Sequence, residues 1–168
     1  MIIGILSDIH DNLQHLDRAL ELFRERGAQE LVFCGDFCSP FSARRLAEWN
    51  GPVHAVYGNN DGDRFAITRA VAGNPHFRIY GEYGGDEQQL INLDGVRICI
   101  THYPFYAIPL ARTGWFDAVF AGHTHKAEKQ RFGSCLFLNP GEVAGVFGTP
   151  TVALYDTRLR SSELVELG

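Results

Sequence analysis

Residues 2–10 read Ile-Ile-Gly-Ile-Leu-Ser-Asp-Ile-His. The apolar run is too short for a helix and shows no polar alternation, the pattern of a strand buried on both faces. Its polar residues gather at the carboxyl end. An amphipathic segment from about Asn12 to Arg26 follows, with Leu13, Leu16, Leu20 and Phe23 at spacings of three and four and Gly27 as its stop. The unit then repeats: strand Leu31–Cys34, helix Phe41–Trp49, strand Val53–Val56 and helix Gly62–Val71. Such alternation predicts a parallel sheet with right-handed crossovers.

The second half reads differently. Gln89–Leu93 and Val96–Ile100 flank Asp94-Gly95, a hairpin turn pair. Short strands are expected at Ala118–Phe120, Leu136–Leu138 and Thr151–Tyr155, with a closing strand near Leu164–Leu167. Pro104, Pro109, Pro140 and Pro150 punctuate the connections. No repeat, low-complexity tract or linker interrupts the chain. The expectation is one α/β domain over residues 1–168, with two packed, mixed β-sheets.

Composition narrows the function classes. With 45% hydrophobic and 21% charged residues in 168, the chain has the balance of a globular domain and not of a disordered one. A net charge of −5 argues against a general nucleic-acid or anionic-membrane binder, whose affinity comes mostly from basic surface. No apolar run approaches the ~18 residues that a membrane span needs. Met1–Leu6 has no basic flank and meets Asp8 at once, so it does not read as a signal peptide. Cys34, Cys38, Cys99 and Cys135 form no CxxC pair, and Cys34 and Cys99 lie in apolar runs, as buried thiols do. Reduced thiols suit a cytoplasmic location.

Five polar clusters stand where the expected strands end. They are Ser7-Asp8-Ile9-His10, Cys34-Gly35-Asp36, Gly58-Asn59-Asn60-Asp61, Thr101-His102 and Gly122-His123-Thr124-His125. Carboxyl ends of strands in α/β sheets form the ligand crevice, so five loops can converge there. Any one cluster is unremarkable, because an aspartate after a strand is commonly a helix cap. Together they bring four of the seven histidines, two aspartates and one asparagine to one edge. His15, His54 and His76 fall outside the clusters and read as ordinary hydrogen-bonded residues. In Asp8-x-His10 and His123-x-His125 the i, i+2 spacing puts both side chains on one face of an extended chain. Seven donors exceed what one zinc ion takes. If one carboxylate bridges, they supply four ligands to each of two ions about 3.5–4 Å apart. Glycines 35, 58 and 122 suit backbone turning beside a crowded site.

The order D-x-H, G-D, G-N-x-D, T-H, G-H-T-H over residues 4–145 resembles the calcineurin-like metallophosphoesterase superfamily, and within it the small YfcE-type phosphodiesterases. The resemblance implies an αββα four-layer sandwich. It implies that Asp8, His10, Asp36 and His125 hold a first metal, and that Asp36 bridges to a second held by Asn59, His102 and His123. Manganese, iron, nickel or zinc are the implied ions, and the mixed imidazole, carboxylate and amide set does not choose among them. The implied reaction is hydrolysis of small phosphodiesters, nucleotides included, by attack of a metal-bridging hydroxide. Charge arithmetic agrees: two divalent ions less two aspartates and one hydroxide leave about +1, suited to an anionic phosphoryl group. Asp61 reads equally as a residue orienting Asn59 or as a helix cap.

Two departures stand out. Many larger relatives carry a leaving-group histidine where this chain has Asn60, and an amide cannot act as a general acid. Where relatives often read T-H-G-H, this chain reads Thr101-His102-Tyr103-Pro104. Tyr103 and Tyr106 could offer a base-stacking surface or simply fill core. The competing class is a non-catalytic interaction scaffold of the same fold, for which Asn60 is the strongest point. A monoesterase or nucleotidase is the other alternative. It usually needs extra cations, and Lys126 beside His125 is the nearest. Neither membrane nor nucleic acid is an expected partner, and self-association is left open.

Overall fold

The computed structural model describes residues 1–85 and 91–168. Its first sheet is built from β1 (Ile2–Leu6), β2 (Glu30–Phe33), β3 (Val53–Ala55) and β4 (Phe77–Ile79), parallel and side by side. Two C-terminal strands extend it antiparallel on the other side of β1, giving six strands in the order β12-β11-β1-β2-β3-β4. Here β11 is Thr151–Asp156 and β12 is Ser161–Glu166. The second sheet has a parallel centre of β7 (Val96–Thr101), β8 (Ala118–Phe120) and β10 (Cys135–Pro140). Antiparallel edges complete it: β5 (Tyr83–Gly84), β6 (Ile91–Leu93) and β9 (Ala127–Phe132).

Side-chain alternation along these strands makes the layers. Ile3, Ile5, Val32 and Cys34 face Ile98, Ile100, Phe120, Leu136 and Leu138 of the other sheet, in one buried cluster. The intervening Leu6, Leu31 and Phe33 pack outward on Leu16, Leu20 and Phe23 of α1 (Leu13–Glu25), and on α2 (Pro40–Leu46) and α3 (Arg64–Val71). On the far side Cys99, Val119 and Phe137 meet Ala107 and Ala111 of α4 (Pro104–Arg112). The result is the expected α/β architecture, two mixed sheets packed face to face with helices outside. Among the described residues no helix is long and apolar enough to cross a membrane.

Several boundaries differ from the sequence reading. The first helix begins after Asn12, whose side chain caps it by accepting from His15 N. The second starts at Pro40 and ends at Leu46, short of the expected Trp49. The third starts at Arg64, capped by Asp63, so Asp61 is not its cap. The final strand begins at Ser161 and ends at Glu166, because backbone pairing with β11 extends through polar residues that carry no apolar signal. The strand expected from Gln89 begins in the described residues at Ile91; Gln89 and Leu90 lie outside them. Its hairpin is as expected, with both Asp94 and Gly95 left-handed. Elements β4, β5, β9 and α4 were not anticipated. Pro104 opens α4 at the position where its missing N–H costs nothing, instead of ending a segment.

Candidate metal centre

Six strand ends meet at one edge of the sandwich, those of β1, β2, β3, β7, β8 and β10. Five deliver the predicted clusters. Asp8, Asp36 and His102 are buried there, while Asn59 and His123 face outward. Asp8 Oδ1 lies 3.7 Å from His10 Nε2 and 3.4 Å from His125 Nε2. Asp36 Oδ2 lies 3.5 Å from His10 Nε2 and 3.5 Å from His102 Nε2. Asn59 Oδ1 is 3.0 Å from His102 Nε2 and 2.8 Å from His123 Nδ1. All seven expected ligands therefore fall into one connected set, with Asp36 between its two halves.

The carboxylate–imidazole separations of 3.4–3.7 Å are those of donors around a cation, whereas Asn59 Oδ1 lies within hydrogen-bond distance of its two histidines. Two ligands each ~2.1 Å from one ion at a tetrahedral angle stand about 3.4 Å apart. Asp8 Oδ1 and His10 Nε2 are buried without a hydrogen-bond partner among the described residues, an arrangement that costs free energy unless an ion completes it. Tautomers point the same way. His102 Nδ1 sits 2.8 Å from the Cys34 carbonyl, which can only accept, so the neutral ring turns its Nε2 lone pair toward Asp36 and Asn59. His125 Nδ1 is likewise 2.8 Å from Glu142 Oε2, which can only accept. His10 Nδ1 is 3.2 Å from Cys38 Sγ, a contact that orients the ring without choosing its tautomer. Lone pairs and carboxylate oxygens that converge in this way repel one another until a cation sits between them. The residues fit divalent metal.

The pairing also moves protonation. Burial pushes Asp8 up, but the His10 imidazole 3.7 Å away and the charges of His102 and His125 outweigh it and hold the carboxyl low. Reciprocally, the neighbouring Asp8 carboxylate raises His10 against the opposing effect of its burial.

The local backbone explains how so many donors crowd together. The i, i+2 pairs do not share a face of extended chain. Asp8, His10, Asp36, His123 and His125 all adopt left-handed conformations, with φ of 54°, 45°, 67°, 72° and 59°. Non-glycine residues rarely do so, and such strain concentrates at functional loops. Two glycines make the necessary room: a Cβ at Gly58 would stand 2.1 Å from Asp36 Oδ1, and one at Gly122 would stand 2.7 Å from Asp8 Oδ2.

A surrounding layer fixes the donors. Asp61 accepts from Gly58 N at 2.7 Å, Cys38 N at 2.9 Å and Asp36 N at 3.2 Å, which ties the β2 and β3 loops together. Burial raises its carboxyl despite these bonds. Asn60 donates to both Asp36 oxygens, through its backbone N and its Nδ2, each at 2.8 Å. Glu142 is fully buried and accepts from Val146, Phe147 and Gly148 N as well as facing His125. Sequence reading missed Glu142 and Cys38. Glu142 was within reach of the same rule, since Asn139-Pro140-Gly141-Glu142 is a polar cluster closing a parallel strand. Burial and the neighbouring carboxylates push the Cys38 thiol up to about 12, so it stays protonated.

The histidines set aside stay outside the cluster. His54 bonds Tyr80 Oη and Glu30, His15 bonds Asn12 and the Val143 carbonyl, and His76 is exposed. A cleft of about 690 Å³ opens over Asp36, Asn59, His123 and His125, with Lys126 and Phe147 in its wall.

Comparison with known proteins extends the reading to the whole chain. Over 160 residues the chain is 31% identical to phosphodiesterase MJ0936 of Methanocaldococcus jannaschii, covering 94% of this chain and 93% of that one. It is 31% identical over 148 residues to phosphodiesterase YfcE of Escherichia coli, covering 82% and 77%. A solved archaeal phosphodiesterase superposes with a TM-score of 0.89 at 30% identity over 99% of both chains. The family model of the calcineurin-like phosphoesterase superfamily domain matches residues 1–160, all five ligand loops included. The chain belongs to the calcineurin-like phosphoesterase superfamily.

Proposed function

We propose that this protein is a dinuclear metal-dependent phosphodiesterase acting on small phosphodiesters. Asp8, His10, Asp36 and His125 would hold one ion, and Asp36, Asn59, His102 and His123 the other. The observation that carries this reading is Asp36 Oδ2, equidistant at 3.5 Å from a histidine of each set. Manganese, iron, nickel and zinc all suit the mixed donors. When bound, such ions would act as Lewis acids toward a phosphoryl oxygen and would lower the pKa of water at the site.

The chain's own residues supply the rest. Asp36 offsets the repulsion between two cations, and the Asn60 amide holds it in register. Glu142, the Cys34 carbonyl and Cys38 fix the rings of His125, His102 and His10 with Nε2 inward. Asn60 cannot protonate a leaving group.

Lys126 is the one cation among the described residues that line the cleft, while Arg64 nearby is engaged by Glu82 and the Gly58 carbonyl. That balance favours a diester over the more highly charged monoester.

Metal analysis of the purified protein, combined with a panel of phosphodiesters, monoesters and cyclic nucleotides, tests the proposal. Two equivalents of divalent metal and faster turnover of diesters are expected. Protein that hydrolyses nothing in the panel, whether or not it binds divalent metal, would be a scaffold.

A further inference from the structure

A second cavity adjoins the ligand cluster at Tyr103, the residue preceding α4. Its ring meets those of His102 and His123 edge-on, each at a centroid separation of 5.0 Å. Tyr103 also lines an open groove of about 1350 Å³, together with Phe105, Tyr106, Trp115 and Phe116. Phe105, Tyr106 and Trp115 are 82%, 56% and 67% exposed, an unusual concentration of apolar surface beside a polar site. The rings form a series leading away from His123. Tyr103 packs edge-on against Tyr106 at 5.9 Å, and Tyr106 against Phe105 at 5.4 Å.

Charge identifies what such a groove can take. Its described lining contains no Lys or Arg, and its one carboxylate, Glu82, is paired with Arg64. A polyanionic group would find no cation to hold it there, whereas an uncharged planar ring would find aromatic faces to stack on. A phosphodiester also carries two ester arms. The cleft over His123 and His125 accommodates one, and the groove beyond Tyr103 leaves room for the other.

We propose that the groove is the subsite for an uncharged, planar aromatic arm of the substrate, a nucleobase or an aryl ring, stacked on the side chains of α4. The proposal rests on the phosphodiesterase reading of the metal centre. It adds a substrate class: diesters with at least one aromatic arm.

Two slowly reacting diesters test it, adenosine 5′-methyl phosphate and dimethyl phosphate. They are compared as competitive inhibitors of bis(4-nitrophenyl) phosphate hydrolysis by the metal-loaded protein. In parallel, Trp115 fluorescence is followed in the Trp49→Phe variant. The nucleoside diester is expected to bind at least tenfold more tightly and to quench Trp115. Phe105→Ala/Tyr106→Ala, which removes only exposed rings, should bring the two inhibition constants within about twofold. Equal inhibition in the wild type, or a preference that survives the double substitution, would overturn the proposal. So would sedimentation showing that the double variant turns an oligomer into a monomer with the preference intact, since a second copy would then cover the groove. Quenching of Trp115 by the nucleoside diester without any hydrolysis would support the groove and refute the phosphodiesterase reading.

Discussion

Asn60 and Glu142 show how single residues set the chemistry of this centre. The Asn60 amide is committed to Asp36, 2.8 Å away, and offers no acidic proton. Diesters with acidic leaving groups such as nitrophenolate should therefore be cleaved far faster than dialkyl diesters. The missing general acid is worth ~10²–10⁴-fold, felt fully only by poor leaving groups. Rates plotted against leaving-group pKa check this, and a flat dependence with chemistry rate-limiting would mean that another residue donates the proton. Glu142→Gln keeps the shape of the side chain but places an amide where one carboxylate serves both His125 and three backbone N–H groups. Metal affinity should fall ~10–100-fold, as it does when such supporting partners are lost. Calorimetric titration with Mn²⁺ would read it. Most of this centre was legible in the sequence, because strands end where polar clusters begin and each cluster carried a histidine or a carboxylate. Cys38 was not, since its contact with His10 depends on a left-handed backbone that spacing alone does not reveal.

At the level of elements, legibility followed the apolar signal. Strands β1, β2, β8 and β10 are buried on both faces and read as apolar runs, and β3 and β7 read so apart from half-buried His54 and exposed Arg97. Strand β9, Ala-Glu-Lys-Gln-Arg-Phe, is an exposed edge held by its ladder to β10, and nothing in its side chains announces a strand. In α4 two prolines hide a helix whose small residues, Ala107 and Ala111, pack on the second sheet. The ends of the strands opposite the metal centre have their own fastening. Asp117, just before β8, accepts from Arg97 of β7 at 2.9 and 3.1 Å and pairs with Arg160 of the β11–β12 turn at 3.0 Å. It thus links the two sheets. Burial opposes ionisation there, but the Arg97 and Arg160 hydrogen bonds outweigh it and hold the carboxyl down to about 2. A lowered folded-state pKa stabilises above the unfolded value, and that contribution disappears as pH falls through the folded one. Asp117→Asn should therefore lower the Tm at neutral pH, by about 1 kcal/mol or ~2–4 °C given its half-exposed partners. The gap to wild type should close between about pH 4 and pH 2, and a gap independent of pH would show that the ion pairs are not its source.

For the molecule as a whole, the inter-sheet core and the metal centre are two consequences of one topology. Packing the parallel centre of one sheet on that of the other brings six strand ends to a single edge, and the buried aspartates at that edge are costly without cations. Removing divalent metal with a chelator should therefore lower the Tm, and restoring metal at ~100 times its Kd should return about 2.7 kcal/mol per site. A Tm indifferent to chelation would mean that the donors do not hold metal in the folded state. The central claim, that Asp36 joins two ions in one centre, is met most directly by electron paramagnetic resonance of the protein titrated with Mn²⁺. The account predicts that two equivalents bind and that the spectrum becomes that of an exchange-coupled pair, with coupling lost in Asp36→Asn. Saturation at one equivalent, or two bound ions that keep independent six-line signals, would contradict it.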